Sequence, residues 1–96
     1  MTPQPKTTLK LEDLLCFKTR IKILKLLLRS GQLNTTQIAR QVDANYETVR
    51  THLDVLESEG IVQKMLFGSR IRFYRLDEQS AKTQALQTLL KAWSEP

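Results

Sequence analysis

The sequence has few of the residues that build catalytic, metal or disulfide-bonded sites. It contains one cysteine, Cys16, and one histidine, His52. A single cysteine cannot form a disulfide within the chain, and a redox role would need a partner cysteine in another subunit. No second histidine or cysteine stands at metal-ligand spacing from His52. We therefore expect His52 to be a structural imidazole and Cys16 a small buried apolar side chain, and we predict no catalytic residue, metal or cofactor.

The sequence also lacks a long apolar run. Its most apolar stretch, Ile21 to Leu28, is interrupted by Lys22 and Lys25. It is far shorter than the roughly 20 residues that a membrane-spanning helix needs. The first residues do not resemble a secretory signal. We therefore expect a cytoplasmic protein that does not enter the membrane.

Acidic residues are fewer than basic ones. Ten Asp and Glu stand against 15 Lys and Arg, so the 96-residue chain has a net charge of +5. This charge favours an anionic partner without proving one, and the length is that of a single small domain. We predict a flexible N-terminal arm over residues 1–7 and one domain over residues 8–96.

Apolar spacing predicts two helices in the first third of the domain. The second of them, Arg20 to Ser30, is apolar around most of its circumference and is predicted to be the central buried helix. Thr19 is its expected N-cap, and Gly31 its expected C-cap. The first helix is predicted to end near Cys16 or Phe17, and its leucines share one face: Leu11, Leu14 and Leu15.

A helix-turn-helix pattern follows. Asn34 and Gln37 have the spacing of a capping box, so a helix is predicted to start there and to stop near Asp43. After a short turn, Asn45 is the expected cap of a second helix, Tyr46 to Glu59. This second helix has three apolar residues at helical spacing, which we expect to be buried: Val49, Leu53 and Leu56.

A basic hairpin is predicted directly after these helices. Ile61 to Phe67 and Ile71 to Leu76 are rich in β-branched and aromatic residues, and Gly68-Ser69-Arg70 separates them as a tight turn. The predicted fold is therefore mainly α with a small β-hairpin: a winged helix-turn-helix of about five helices and a two-stranded wing. The wing has four basic residues: Lys64, Arg70, Arg72 and Arg75.

Double-stranded DNA is the partner that this order of elements favours. The helix from residue 45 to 59 would lie in a major groove, and the wing over residues 64–75 would lie on a minor groove or on phosphates. Arg50 is the strongest candidate for reading a base, because a guanidinium can bond both O6 and N7 of guanine. The alternative for the wing is that its arginines only face solvent. The residues predicted to contact DNA are Thr35, Thr36, Arg40, Asn45, Tyr46, Glu47, Thr48, Arg50, Thr51, Lys64, Arg70 and Arg72.

The last predicted helix, Glu78 to Ser94, has one apolar stripe. This stripe either closes the core of its own subunit or forms a dimer seam, and we favour the seam because Trp93 is suited to an interface. The residues predicted at a homodimer interface are Leu11, Leu14, Leu15, Leu86, Leu89, Leu90 and Trp93.

Two segments carry a family resemblance. Lys18 to Leu24 resembles the opening TR-x-x-IL helix of ArsR-like winged-helix regulators, and Val49 to Leu56 resembles their V-x-x-HL-x-x-L recognition helix. The likeness covers roughly residues 18 to 76, and Gly60 to Val62 and Phe73 to Leu76 look like parts of the strands that follow in the family. It implies a homodimeric transcriptional regulator, paired through its first and last helices, that reads an inverted repeat. The cysteine pairs and the acidic and histidine clusters of metal-sensing members are not reproduced, which points to the small constitutive kind common in archaea and their viruses.

Two other functions remain open on the sequence alone. A winged helix can be a protein-binding module, or it can bind DNA without sequence preference as an architectural protein. Loss of base preference on substitution of Arg50 would distinguish the specific regulator from both.

Overall fold

The computed structural model describes residues 9–68 and 70–93, and the chain forms five helices and three strands within these ranges. The predicted arm over residues 1–7, Ser69 of the predicted turn and Ser94 of the predicted last helix lie outside the described residues. The elements, in chain order, are α1 (Leu11–Leu14), α2 (Lys18–Ser30), β1 (Leu33–Asn34), α3 (Thr35–Val42), α4 (Tyr46–Ser58), β2 (Val62–Phe67), β3 (Ile71–Leu76) and α5 (Ala81–Ala92).

The first two helices differ in their bounds from the prediction. Helix α1 is a single turn, and α2 begins at Lys18 instead of Arg20. The prediction that Thr19 caps α2 is wrong, because the N-cap is Phe17, which has no side-chain acceptor. Gly31 is the C-cap as predicted. It has a φ of 86°, which glycine adopts at little cost, and its N–H donates to the carbonyl of Leu27 (2.9 Å).

The helix-turn-helix forms as its capping residues predict. The Asn34 Oδ1 accepts from the Gln37 N–H (2.8 Å), and the Gln37 Oε1 accepts from the Asn34 N–H (2.9 Å). Helix α3 ends at Asp43, which is left-handed with a φ of 58°. The Asn45 Oδ1 then accepts from the Thr48 N–H (2.8 Å) and starts α4. Each pair satisfies backbone donors that a helix start leaves without partners.

The wing is part of a three-stranded antiparallel sheet in the order β1-β3-β2. The sequence predicts only β2 and β3. Strand β1 has two residues, with Leu33 opposite Tyr74 and Asn34 opposite Phe73. A strand of this length has no alternation of side chains by which the sequence could predict it.

One hydrophobic core joins the helices to the base of the wing. Tyr74 is buried there, as expected for a hairpin-core residue, whereas Phe73 is half-buried. Helix α5 starts three residues later than predicted, with Ser80 as its N-cap. The buried apolar side chains are Leu14, Ile23, Leu24, Leu26, Leu27, Ile38, Ala39, Val42, Val49, Leu53, Leu56, Ile61, Val62, Tyr74, Leu76 and Leu86.

None of the helices in the described part of the chain has the length and apolar composition that crossing a membrane requires.

Candidate nucleic-acid interface

Helix α4 presents a polar face to solvent. Its buried residues Val49, Leu53 and Leu56 pack into the core, so the opposite side of the helix is left exposed. Asn45 is exposed in front of the helix, but its Oδ1 is already occupied as the N-cap. Helix α4 therefore brings together six predicted DNA contacts in its first two turns: Asn45, Tyr46, Glu47, Thr48, Arg50 and Thr51.

Arg50 is held only loosely on this face. Its Nη1 lies 3.8 Å from the Glu47 Oε1, and the two side chains are 45% and 78% exposed. An ion pair this exposed contributes little, so the guanidinium can leave Glu47 for another acceptor. The Thr51 hydroxyl donates to the Glu47 carbonyl (2.9 Å), so its remaining contact surface is mainly the methyl group.

The acidic residues at the end of α4 are paired with lysines of other elements. The Glu57 Oε1 lies 3.7 Å from the Lys64 Nζ on the wing. The Glu59 Oε1 lies 2.8 Å from the Lys82 Nζ on α5, and its side chain is 3% exposed. The Glu59 carboxylate also accepts from the Leu9 N–H (3.2 Å). These contacts reduce the negative field at the end of α4.

Helix α3 brings two of its three predicted contacts to the surface. Thr36 and Arg40 are exposed. Thr35 is 4% exposed, so the prediction that it contacts DNA is wrong. It is the first helical residue after β1, and the pairing of β1 with β3 places it against the core instead of the solvent.

The strand register decides which wing residues lie near α4. Cross-strand partners share one face of a sheet, and successive residues alternate between faces. Lys64 pairs with Tyr74 and Leu66 pairs with Arg72, so these residues lie on the face that is buried against α4 at its base. Gln63 and Arg75 lie on the other face, where the Arg75 Nε donates to the Gln63 Oε1 (2.9 Å). Arg72 and Lys64 therefore flank α4, whereas Arg75 does not.

Charge at the junction of α4 and the wing acts on Tyr74. The pKa of the phenol is raised first by burial, and then by the nearby carboxylates of Asp54 and Glu57. Arg72 acts in the opposite direction. Tyr74 is thus a neutral, buried support for the wing, and it is not available for stacking on a base.

A cluster that the sequence does not predict holds the buried side of α4. Arg20 is 5% exposed, and its Nε donates to the Nδ1 of His52 (3.3 Å). Its Nη1 donates to the carbonyls of Asp13 and Leu14 (both 3.1 Å). The Phe17 ring lies under the guanidinium at 4.6 Å and beside the imidazole at 5.2 Å. One arginine therefore joins α1, α2 and α4.

His52 is a buried structural residue, as expected. Burial lowers its pKa, and the charge of Arg20 lowers it further. The neutral imidazole accepts at Nδ1, which places its proton on Nε2.

Residues 18–64 match the family model for bacterial regulatory proteins of the ArsR family. The chain is an ArsR-like winged helix-turn-helix transcriptional regulator. A comparison with curated proteins gave no significant match.

Solved structures agree with this assignment at the level of the fold. A crystal structure of a possible transcriptional regulatory protein from Mycobacterium bovis (fragment 1–100) is 26% identical, covers 83% of this chain and 82% of its own, and gives a TM-score of 0.67. A solution structure of the same M. bovis fragment, described as a homodimeric winged helix-turn-helix DNA-binding domain, is 23% identical over 97% and 89% of the two chains (TM-score 0.71). The PKZ Zalpha domain in complex with ds(CG)6 is 23% identical over 59% and 90% (TM-score 0.57).

The ArsR-like chain has no metal cluster in the part that the structure describes: no three His, Cys, Asp or Glu residues lie close enough together to hold an ion. Cys16 differs from its expectation, because it is exposed. It lies just past the single turn of α1, with its Sγ 3.2 Å from the Asp13 carbonyl, and α1 ends too early to turn it into the core.

The ArsR-like domain has an apolar groove between α1 and α5. The groove encloses about 290 Å³ and includes Glu59 and Lys82 at one side. Leu14 and Leu86, predicted at the dimer interface, are instead buried in the core of their own chain at 6% and 7% exposure. Leu15 and Leu90 pack partly against that core. The predicted interface residues that remain exposed are Leu11 (62%), Leu89 (43%) and Trp93 (71%).

Proposed function

We propose that this chain is a homodimeric, sequence-specific regulator that acts in the cytoplasm by binding double-stranded DNA. Helix α4 enters the major groove, and the wing lies on the adjacent minor groove or on phosphates. The observation that carries this proposal is Arg50, a half-exposed guanidinium with one weak partner in the first two turns of α4. It stands in the position from which helix-turn-helix proteins read base edges.

The exposed face of α4 has the chemistry for base readout. A bidentate contact from Arg50 to guanine contributes about 1–3 kcal/mol of discrimination. Glu47, 78% exposed, can accept from the amino group of cytosine. The Thr51 methyl and the Tyr46 ring edge can pack against a thymine methyl. The N-terminus of α4 adds a positive dipole end that favours a phosphate.

The wing supplies positive charge beside this face. Arg70 follows Gly68, whose φ of 65° fits the predicted turn, and Arg72 and Lys64 lie on the sheet face toward α4. Arginines of this kind are attracted to a narrow minor groove, where the negative potential is enhanced. The Zalpha domain, which shares the fold, was solved on a DNA duplex, and this supports DNA as the partner.

A homodimer would bring two α4 helices to one inverted repeat. Leu11 and Leu89 line the groove between α1 and α5, and Trp93 follows one helical turn after Leu89. All three side chains are exposed, so a second copy could cover them. The homodimeric M. bovis domain of the same fold supports this arrangement. We expect light scattering at micromolar concentration to give the mass of two chains. Trp93→Ala should shift the protein toward monomer, whereas Lys91→Ala, an exposed change on the same helix, should not; a monomeric wild type would exclude the dimer.

The decisive experiment is equilibrium selection from a randomised duplex pool of about 30 base pairs, which accommodates two half-sites one helical turn apart. The proposal expects enrichment of an inverted repeat with that spacing. Arg50→Ala should relax the preference at one position per half-site. Arg72→Ala should weaken binding to all sequences alike. It should also lower the salt slope, the slope of log binding constant against log salt concentration, by about 1. Binding without enrichment would indicate an architectural protein, and no binding by the folded wild type would indicate a protein-binding module.

A further inference from the structure

The end of the wing carries three large apolar side chains that the structure leaves exposed. Leu66 is 62% exposed, Phe67 48% and Ile71 49%. We call these three residues the apolar tip. Leu66 pairs with Arg72, and Phe67 pairs with Ile71, so they occupy the last two cross-strand pairs before the turn. The apolar tip is therefore the end of the two paired strands that lies farthest from the hydrophobic core.

The hairpin does not bury these side chains for its own stability. Its core contacts are made at the base, where Val62, Tyr74 and Leu76 are buried. At the tip, the cross-strand neighbour of Leu66 is an arginine side chain, and the Phe67 ring lies edge-on to Phe73, with ring centroids 4.8 Å apart. Leu66 lies on the sheet face of Arg72, whereas Phe67 and Ile71 lie on the opposite face, so the end of the hairpin is apolar on both sides. Exposed apolar side chains concentrated at the end of a hairpin in this way indicate a binding surface.

The positive charge around the apolar tip indicates that its binding partner is DNA. Arg70 lies in the turn beyond the apolar tip, and Arg72 lies on the same cross-strand pair as Leu66. The same sheet face reaches α4 through Lys64, whose Nζ lies 3.7 Å from Glu57. Proteins that bend DNA from the minor groove combine basic side chains in the groove with apolar residues inserted between base steps. The tip of the wing carries both components within two cross-strand pairs.

We propose that the apolar tip inserts between stacked base pairs in the minor groove and kinks the duplex while α4 occupies the major groove. This inference rests on the proposed function and assigns the wing a second role. The arginines provide attraction to phosphates, and the apolar tip provides the distortion. Sequence preference would then extend to flexible pyrimidine–purine steps beside each half-site, although no side chain reads those bases.

The experiment uses the duplex obtained by selection, labelled at its two ends for energy transfer, with 2-aminopurine placed step by step in the flanking minor-groove segment. Wild-type protein should shorten the end-to-end distance by a kink of about 20–90° and raise 2-aminopurine fluorescence at one step per half-site. Leu66→Gln and Phe67→Gln should lose more than half of both signals without changing the salt slope of binding. Phe67→Leu, which keeps an apolar side chain, should retain both signals.

Arg70→Gln is the matched charge control at the same end of the wing. It should lower the salt slope by about 0.9, as expected for one lost phosphate contact, while leaving the kink in place. Leu66→Gln is the variant least able to disturb folding, because its side chain is already largely exposed. A selected duplex that stays straight when bound, or an equal kink with all three tip variants, would overturn the inference and leave the proposed function standing. Failure of the folded wild type to bind any duplex would overturn both.

Discussion

Arg20 gives the sharpest test of how the fold holds α4. The side chain is almost fully buried, and three of its N–H groups have acceptors: the His52 Nδ1 and the carbonyls of Asp13 and Leu14. Those carbonyls lie at the end of α1, a single turn whose terminal acceptors have few other partners. Arg20→Met keeps most of the apolar stem and removes all of the donors.

The expected cost follows from the acceptors that are left behind. Each buried acceptor without a donor costs about 1–3 kcal/mol. The contact of the guanidinium with the Phe17 ring adds about 0.5–1 kcal/mol. Part of this loss of stability is offset, because the variant has no charged guanidinium to desolvate on folding. We expect a net loss of about 3 kcal/mol, a large share of the 5–15 kcal/mol typical of a domain.

Urea unfolding followed by circular dichroism measures this loss. With a slope of about 1–3 kcal/mol/M, the midpoint should fall by about 1–3 M. Lys22→Met, an exposed change on the same helix, should alter the free energy of unfolding by less than about 0.5 kcal/mol. If Arg20→Met and Lys22→Met unfold at the same urea concentration, the cluster does not stabilise the fold and our account of it is wrong.

Three further predictions follow from the caps and the buried titratable groups. Asn34→Ala removes the capping box of α3 and should cost about 1 kcal/mol in the same urea assay, whereas Thr36→Ala, exposed in the first turn, should cost less. The pKa of His52 is below 6.5 in the folded protein, so on acidification the imidazole of the unfolded chain is protonated first. The contribution of His52 to the free energy of unfolding should therefore be complete above about pH 6.5 and should fall as the pH drops below that value. His52→Gln should remove this pH dependence. The pKa of Tyr74 is raised above 10.0, so its contribution to stability should be lost as the pH rises beyond that value. The phenolate absorbance that Tyr74→Phe removes should therefore develop above pH 10.0 in the wild type, and its appearance at lower pH would contradict the burial of Tyr74.

The sequence predicts the helix-turn-helix well because its signals are local. Asn34 with Gln37 and Asn45 ahead of Tyr46 satisfy helix starts within three residues, and no distant contact is needed to recognise them. Strand β1 has no such signal, because its pairing with β3 joins segments about 40 positions apart. The start of α2 is mispredicted for a related reason: the sequence favours the polar residue Thr19 as the cap, whereas contacts of Phe17 with Arg20 and His52 anchor that end.

In the candidate site too, the features set by local spacing are predicted from the sequence, and the features set by distant contacts are not. Helical periodicity correctly predicts that the front of α4, including Arg50, is exposed, because the apolar residues of the opposite face are buried. Periodicity does not show that Thr35 is turned inward by the sheet beside it, or that Arg20 is buried. An arginine between apolar residues of α2 has the ordinary pattern of a solvated charge, and its acceptors come from α1 and α4. The apolar tip was also missed, because Leu66 and Phe67 have the composition of an ordinary strand and only the register shows that they extend past the core.

The charges around α4 explain how a helix with several acids can face a polyanion. Lys64 and Lys82 pair with the two carboxylates at its end, and Glu47 offsets Arg50 at its front. The front of α4 thereby has little net positive charge, so it would gain little from phosphates in general and would depend on hydrogen bonds to particular bases. The wing, with Arg70 and Arg72, holds the uncompensated positive charge. We therefore expect affinity and its salt dependence to come mainly from the wing, and base preference mainly from Arg50, which is why the two substitutions should separate these properties in one binding assay.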